Sequence, residues 1–200
     1  MIKTIIFDIG GVILNVDHMI MCRNYEKYSD FSAKKIKDAI FKSGLKQRFE
    51  HGDYTPKQVY EILKKELNLT INFNMFKDIW SDIFWLNDQI MPIIRKLKKT
   101  YKLALLSNTD MIHFNTIKRK FNFVKYFDVV VVSYTVKMMK PEQRIYEITL
   151  KKANTNANEA LFIDDKEENV AGASKLGIKS IHFNNADRLV RKLRAIGIEI

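Results

Sequence analysis

The sequence is poor in the residues that define several classes of protein. It contains a single cysteine, Cys22, so an internal disulfide bond is impossible and a reducing compartment, the cytoplasm, is expected. No apolar stretch is long enough to span a bilayer, and residues 1–16 lack the cleavage site of a signal peptide. Prolines and glycines number only three and seven among 200 residues that are 46% hydrophobic, which excludes a disordered chain.

Positive charge is the strongest bias in the composition. There are 34 lysines and arginines against 23 acidic residues, a formal net charge of +11. The lysines recur at helical spacing, as in residues 34–37 and 96–99, and no aromatic-basic motif separates them. We therefore expect these lysines to form solvated helix faces and not to bind nucleic acid or a membrane. A monomer or weak homodimer is expected in solution. The positive field would attract an anionic partner such as a small phosphate ester.

Short apolar runs alternate with helical patterns through most of the chain, which predicts an α/β fold. Such runs without polar alternation are typical of strands buried on both faces of a parallel sheet, so we expect a Rossmann-like parallel sheet flanked by helices. One of the helical patterns spans residues 140–153 and has Pro141 at its expected first position. The predicted strands are residues 4–7, 102–107, 128–133, 160–164 and 179–183.

Residues 15–86 interrupt this alternation and contain no convincing strand. Ser32 is expected to cap a helix that ends at Gly44, and Thr55 followed by Pro56 is expected to begin another. Residues 74–85 carry an apolar stripe at helical spacing. The sequence thus predicts a catalytic core of residues 1–14 and 87–200, with an all-helical insert of residues 15–86 after the first strand.

Polar side chains follow four of the predicted strands. In an open parallel sheet, ligands bind beyond the carboxyl ends of the strands, so these side chains are candidates for one site. Each has an ordinary explanation alone, as a helix cap, a surface lysine or a turn, but random loops rarely place such a set on four successive strand ends. In chain order they are Asp8, Ser107, Asn108, Lys140, Asp164, Asp165 and Asn169.

Converging carboxylates would repel one another unless a cation separates them. Mg²⁺ suits such a site because it favours one or two carboxylates together with phosphate oxygens. Attack of Asp8 on phosphorus would bring two anions together, and Mg²⁺ with Lys140 would neutralise that charge. The Ser107 hydroxyl and the backbone N–H groups of Asn108 and of the turn at residues 10–11 would bind the phosphoryl oxygens.

Four segments together resemble the motifs of the haloacid dehalogenase-like hydrolase superfamily: "FDIGGV", "LLSNT", "MKPE" and "FIDDKEEN". They look closest to the sugar-1-phosphate phosphatases and to the phosphatase half of soluble epoxide hydrolases. The resemblance implies that the helical insert is a cap over the active site and that Asp8 is the nucleophile, with Lys140 as the second catalytic residue. The implied metal ligands are Asp8, the Gly10 carbonyl and Asp165, with Asp164 as an alternative ligand or a support for Lys140, and Asn169 behind them.

One position departs from the pattern of most phosphatases in the superfamily. They have a second aspartate two residues after the nucleophile as a general acid and base, whereas this chain has Gly10 there. Three explanations for the missing aspartate are open. The substrate has a good leaving group that needs no acid, a residue of the cap supplies the proton, or the enzyme is slow or inactive. We favour the first explanation. The candidate cap residues are Asp17, His18, His51 and Asp53.

The sequence therefore predicts a Mg²⁺-dependent phosphatase that hydrolyses a small phosphorylated metabolite, such as a hexose 1-phosphate, through an aspartyl-phosphate. The alternatives are an inactive phosphate-binding protein of the same fold and a dehalogenase. Substrate selection is expected in the insert, around the stretch "FEHGDYTP" at residues 49–56.

Overall fold

The computed structural model describes residues 1–200 and contains seven strands in two sheets. The main sheet has five strands, all parallel, in the order β5-β4-β1-β6-β7, and the small sheet pairs β2 with β3. The predicted α/β class and all five predicted strands are confirmed. The strands are β1 (Thr4–Phe7), β2 (Leu14–Val16), β3 (Phe84–Leu86), β4 (Lys102–Ser107), β5 (Val129–Val132), β6 (Ala160–Asp164) and β7 (Lys179–His182).

Helices fill the insert and cover both faces of the main sheet. None of them has the length and apolar character needed to cross a membrane. In the insert they are α1 (His18–Glu26), α2 (Ala33–Phe41), α3 (Leu45–His51), α4 (Pro56–Glu66) and α5 (Phe73–Ser81). Around the sheet they are α6 (Ile90–Leu97), α7 (Met111–Lys120), α8 (Ser133–Val136), α9 (Gln143–Ala153), α10 (Glu167–Lys175) and α11 (Ala186–Ala195).

Strand alternation divides the core of the main sheet into two layers. Ile5 and Phe7 of β1 face a cluster that includes α6, α7 and α11. Ile6, between them, faces the opposite layer, where Tyr146 of α9 and Ala173 of α10 pack. Because both faces of each central strand are buried, the strands read as continuous apolar runs rather than as alternating ones.

The helical insert has its own apolar core. Nineteen buried residues form this cluster, with Tyr25, Phe76 and Trp80 among the largest, and all but Ile112 of α7 come from the insert. The expectation of a purely helical insert was wrong at its two ends, because β2 and β3 form an antiparallel pair there. Each strand has only three residues, too few to show a period in the sequence. The expected limits of the insert, residues 15 and 86, fall within this pair.

The predicted caps of the insert helices are correct at Ser32 and Thr55 and wrong at Gly44. Ser32 caps α2, and Thr55 forms a capping box with Gln58 ahead of Pro56, both as expected. Gly44 does not end α2, which stops at Phe41; instead Gly44, at φ +76°, precedes α3.

The other correction concerns Pro141, which is not the first residue of a helix. The Lys140–Pro141 peptide bond is cis, and α9 begins at Gln143 after this turn. The prediction failed because a proline after a strand suits a tight turn as well as a helix start.

The register of the sheet brings the strand ends together at one edge. Phe7, the last residue of β1, lies opposite Leu105 of β4 and Ile163 of β6. The N–H of Asp8 then donates to the Ile163 carbonyl at 2.9 Å. Asp8 thus follows β1 at the same level as the ends of its two neighbours.

Candidate active site

Lys140 lies at the centre of the polar cluster beyond these strand ends. Its buried Nζ donates to Asp8 Oδ1 at 2.7 Å and to Asp164 Oδ2 at 2.6 Å. A third hydrogen bond, of 3.0 Å, runs to the Leu106 carbonyl of β4. Three strands therefore fix one ammonium group, and all three donors of that group are used.

The loop that carries Lys140 is held by the loop after β4. Asn108 Nδ2 donates to the Lys140 carbonyl at 2.9 Å, and the Lys140 N–H donates to Asn108 Oδ1 at the same distance. The side chain of Asn108 thus positions the backbone of Lys140. One N–H of its amide and one lone pair of its oxygen serve this role.

The two adjacent aspartates after β6 differ in their surroundings. Asp164 is fully buried and accepts hydrogen bonds from Lys140, the Lys166 N–H and Asn169 Nδ2, at 2.6–3.1 Å. Asp165 lines a cavity, and its Oδ1 is buried without a partner. Of the roles left open for Asp164, this arrangement favours orientation of Lys140, whereas Asp165 keeps its oxygens for a ligand.

Burial and mutual repulsion change the ionisation of the cluster. Burial raises the pKa of Asp8 to about 6, with repulsion from Asp164 and Asp165 adding to it and attraction by Lys140 opposing it. Burial and Asp164 likewise raise the pKa of Asp165. Burial alone would lower the pKa of Lys140, but Asp8 and Asp164 outweigh it, so the pKa is raised and the ammonium stays charged. The cluster therefore has an excess of acidic groups over its one cation.

The residues of this cluster fit a magnesium ion. Carboxylate oxygens of Asp8, Asp164 and Asp165 lie within 4.8 Å of one another, and such hard oxygens are the ligands that Mg²⁺ prefers. The unpartnered Oδ1 of Asp165 is an orphan that a cation would satisfy. A Cβ atom on Gly11 would approach Asp165 Oδ2 to 2.1 Å, so only glycine leaves room for this carboxylate.

The glycine turn after Asp8 corrects one detail of the prediction. The Gly11 N–H donates to the Leu14 carbonyl at 2.7 Å, so it is not free to bind a phosphoryl oxygen. Gly11 has φ +77°, a conformation that favours glycine, and its importance here is the space that it leaves for Asp165. Gly10 lines the cavity, and a Cβ there would meet only Val16, at 3.4 Å.

A cavity of about 650 Å³ opens beside the cluster, between the strand ends and the insert. It is lined by every predicted site residue except Asp164, which lies behind Lys140. The predicted residues along it are Asp8, Gly10, Gly11, Ser107, Asn108, Lys140, Asp165 and Asn169.

Several residues of the cavity were not predicted individually from the sequence. The insert contributes Lys46, Gln47 and Glu50 of α3, and the core contributes His113 of α7. Of the stretch at residues 49–56, only Glu50 lines the cavity. Helix α3 was missed because it has only seven residues, too few to show a clear apolar period.

A buried polar network joins the insert to the core next to this cavity. Asp110 Oδ2 accepts from Trp80 Nε1 of α5 at 3.0 Å and lies 2.7 Å from His113 Nδ1. His113 Nε2 lies 2.8 Å from the Trp80 carbonyl. Because a carboxylate and a carbonyl both accept, this geometry calls for a proton on each ring nitrogen and hence a charged imidazolium.

A second contact ties α3 to the core. Ser133 Oγ lies 2.5 Å from the Glu50 carbonyl and accepts from the Thr109 N–H at 3.0 Å. The residues of the insert that line the cavity are therefore held at a defined place relative to Asp8.

Comparison with known proteins identifies the family of this chain. The model of the family "Haloacid dehalogenase-like hydrolase" matches residues 5–183. The chain therefore belongs to the haloacid dehalogenase-like hydrolase family, and the predicted family is confirmed.

Several relatives that match over most of this chain are phosphatases. The chain is 28% identical to a D-ribitol-5-phosphate phosphatase of Bacteroides thetaiotaomicron, over 92% of this chain and 93% of that protein. It is 25% identical to the sesquiterpene phosphatase astK of Aspergillus oryzae, over 97% and 96%. An alignment of 72 residues with mouse bifunctional epoxide hydrolase 2 shows 32% identity. It covers 36% of this chain and 13% of that protein. The enzyme class expected from the motifs, a haloacid dehalogenase-like phosphatase, is confirmed by this homology.

A solved structure supports the metal. The enzyme of this family from Bacteroides thetaiotaomicron that was crystallised with magnesium and inorganic phosphate superposes with a TM-score of 0.79 and 25% identity, over 94% of this chain and 99% of that one. A homologous fold thus binds both Mg²⁺ and phosphate.

Proposed function

We propose that this protein is a Mg²⁺-dependent phosphatase of small phosphorylated metabolites that works through an aspartyl-phosphate on Asp8. The observation that carries the proposal is the placement of Asp8 against Lys140 Nζ, at 2.7 Å, within one cavity that Asp165 also lines. A carboxylate that is held beside a fixed cation and faces an open cavity is suited to attack an anionic phosphoryl group.

The residues of the cluster take distinct parts in this reaction. An oxygen of Asp8 bonds to phosphorus as the ester P–O bond breaks, and the electron pair leaves with the alcohol oxygen, which takes a proton from water. A second water then attacks phosphorus, which releases inorganic phosphate and restores Asp8. Lys140 holds Asp8 in place and offsets the negative charge of the phosphoryl group, while Asp164 and Asn108 hold Lys140.

Asp8, the Gly10 carbonyl and Asp165 are the residues that would hold magnesium, with Asn169 behind them. When bound, the ion would supply a positive charge that draws phosphate oxygens and the Asp8 carboxylate together. Ser107 lines the same cavity and would bind a phosphoryl oxygen through its hydroxyl.

The lining of the cavity bears on the substrate. Only five of its 22 lining residues are hydrophobic, and the α3 wall presents Lys46, Gln47 and Glu50. Such a wall suits a polar leaving group such as a sugar or polyol better than a terpene chain. A sugar phosphate, for example a hexose 1-phosphate, is therefore our proposed substrate.

The proposed compartment is the cytoplasm, because the chain has a single cysteine and so no internal disulfide bond.

A panel of phosphorylated metabolites tests the proposal. Phosphate release is measured for sugar, polyol, nucleotide and isoprenoid phosphates with Mg²⁺, and again with EDTA in its place. We expect release from sugar or polyol phosphates that EDTA abolishes. Release that EDTA leaves unchanged would refute the role of the metal, and no release from any phosphate would refute the enzyme.

One observation favours a second function, a phosphate-binding protein without turnover. Gly10 stands where most phosphatases of this superfamily have their general acid, and general acid-base catalysis contributes ~10²–10⁴-fold to a rate. Under this alternative, inorganic phosphate would bind with Mg²⁺ in a calorimetric titration while the whole panel stayed intact.

A further inference from the structure

His18 is the one polar side chain of α1 that lines the active-site cavity. It is the first residue of α1, directly after Asp17, whose side chain accepts from the Met19 N–H at 2.8 Å. The ring packs on Phe41 of α2 with 4.9 Å between the centroids. A capped helix start and an aromatic contact thus fix the position of this imidazole.

The hydrogen bonding of His18 is incomplete. Its Nδ1 is buried and has no partner in the protein. Buried polar atoms of folded proteins are nearly always hydrogen-bonded, so an orphan beside a cavity indicates a ligand that completes it. The other cap histidine, His51, differs in both respects, because its Nδ1 pairs with Asp53 at 2.7 Å and it does not line the cavity.

The charges around His18 determine what kind of group it can bind. Burial, together with the cations Lys46 of α3, His113 of α7 and Lys166, lowers the pKa of His18 to about 3, against the opposing charge of Asp110. The ring is therefore neutral at physiological pH, with one N–H donor and one acceptor nitrogen. A hydroxyl group, which also donates and accepts, matches this pair.

The wall of the cavity formed by α3, next to His18, also offers hydrogen-bond donors and acceptors. Lys46 and Glu50 form an ion pair one turn apart on α3, with side chains 12% and 15% exposed, and both line the cavity. Lys46 Nζ also lies 5.8 Å from the ring centroid of Phe41, the residue on which His18 packs. Donors and acceptors for more than one hydroxyl are thus collected on this side of the cavity.

We propose that His18 is a specificity-determining residue, which hydrogen-bonds a hydroxyl of the leaving group next to Lys46 and Glu50. The phosphoryl end of the substrate is placed at Asp8, and the polyol or sugar part extends to His18. This inference rests on the proposed phosphatase function and adds to it the residue that distinguishes a hydroxylated alcohol from an apolar one.

The test compares two substrates in His18→Leu, which removes the hydrogen bonds and keeps an apolar side chain. Values of kcat/KM are measured with Mg²⁺ for ribitol 5-phosphate and for phenyl phosphate, whose leaving group has no further hydroxyl. We expect the ratio of the two values to fall ~10-fold, the effect of one lost hydrogen bond, mainly through KM for ribitol 5-phosphate. His18→Asn, which restores a polar atom, should recover part of the ratio, and His51→Leu should leave it unchanged.

Each other outcome has a distinct meaning. An unchanged ratio in His18→Leu, or a fall in kcat alone, would overturn the proposed role. Absence of wild-type turnover across the whole panel of phosphates, these two substrates included, would refute the proposed function itself. If the variants do not fold, ¹⁵N NMR of the wild-type ring decides: ribitol 5-phosphate should shift the His18 nitrogens beyond the shift that inorganic phosphate causes, and equal shifts would overturn the role.

Discussion

Replacement of Asp110 by asparagine tests how the insert is joined to the core. Asp110 is fully buried and pairs with His113 Nδ1 at 2.7 Å while it accepts from Trp80 Nε1 at 3.0 Å. It also accepts from the His113 N–H at 2.9 Å as the cap of α7. Asp110→Asn keeps the shape and one acceptor oxygen but removes the charge that balances the His113 imidazolium.

The magnitude follows from the burial of this pair. Loss of one partner from a buried ion pair costs ~3–5 kcal/mol, and because asparagine still accepts one hydrogen bond we expect about 3 kcal/mol. Burial alone would raise the pKa of Asp110, but His113 outweighs it and holds the pKa below its ordinary value of 3.8. The stabilisation is therefore complete above that pH and is lost as the pH falls below it.

The assay is urea unfolding at pH 7 and again below pH 4, followed by tryptophan fluorescence. The difference in free energy of unfolding between wild type and Asp110→Asn should be large at pH 7 and shrink in acid. Asp53→Asn is the control, since Asp53 pairs with His51 at the surface, and its unfolding midpoint should stay at the wild-type value. A loss in Asp110→Asn below ~1 kcal/mol at pH 7 would refute the charged pair.

Two further substitutions test the glycine turn. Gly11→Ala should lose Mg²⁺ affinity in calorimetry and most activity, because its Cβ would displace Asp165; Gly44→Ala is the matched control, with φ +76° and no atom within 4 Å of its Cβ. Equal metal binding in Gly11→Ala and wild type would contradict the ligand role of Asp165. Gly10→Asp has room for its Cβ atom, 3.4 Å from Val16, and should raise kcat for alkyl phosphates by ~10²-fold if a missing acid limits the rate. An unchanged kcat would indicate that another group or water already supplies the proton.

The core of the site could be predicted because topology alone brings its residues together. Asp8, Ser107 and Asp164 end or follow parallel strands that are neighbours in the sheet, so their proximity follows from the strand order. Lys140 was assigned to the same edge because it follows the next strand along the chain, and this was the least direct of the assignments. It comes eight residues after β5, and the Asn108 side chain holds its backbone in place.

The rest depended on contacts between distant parts of the chain. Neither α3 nor the β2-β3 pair has a periodic signal, because each is short and is stabilised by tertiary packing. The different roles of Asp164 and Asp165 could not be separated in the sequence, since they depend on which carboxylate faces Lys140 and which faces the cavity. The reason for glycine at position 11 likewise emerged only from its distance to Asp165.

Turnover by Asp8→Asn tests the central claim most directly. The variant is close to isosteric, and its hydrolysis of phenyl phosphate is measured with Mg²⁺ beside wild type and beside Asp38→Asn, a surface aspartate of α2 that pairs with Lys42. We predict that Asp8→Asn folds and shows no turnover, while Asp38→Asn retains the wild-type rate. Substantial Mg²⁺-dependent hydrolysis by folded Asp8→Asn would contradict the nucleophilic role of Asp8.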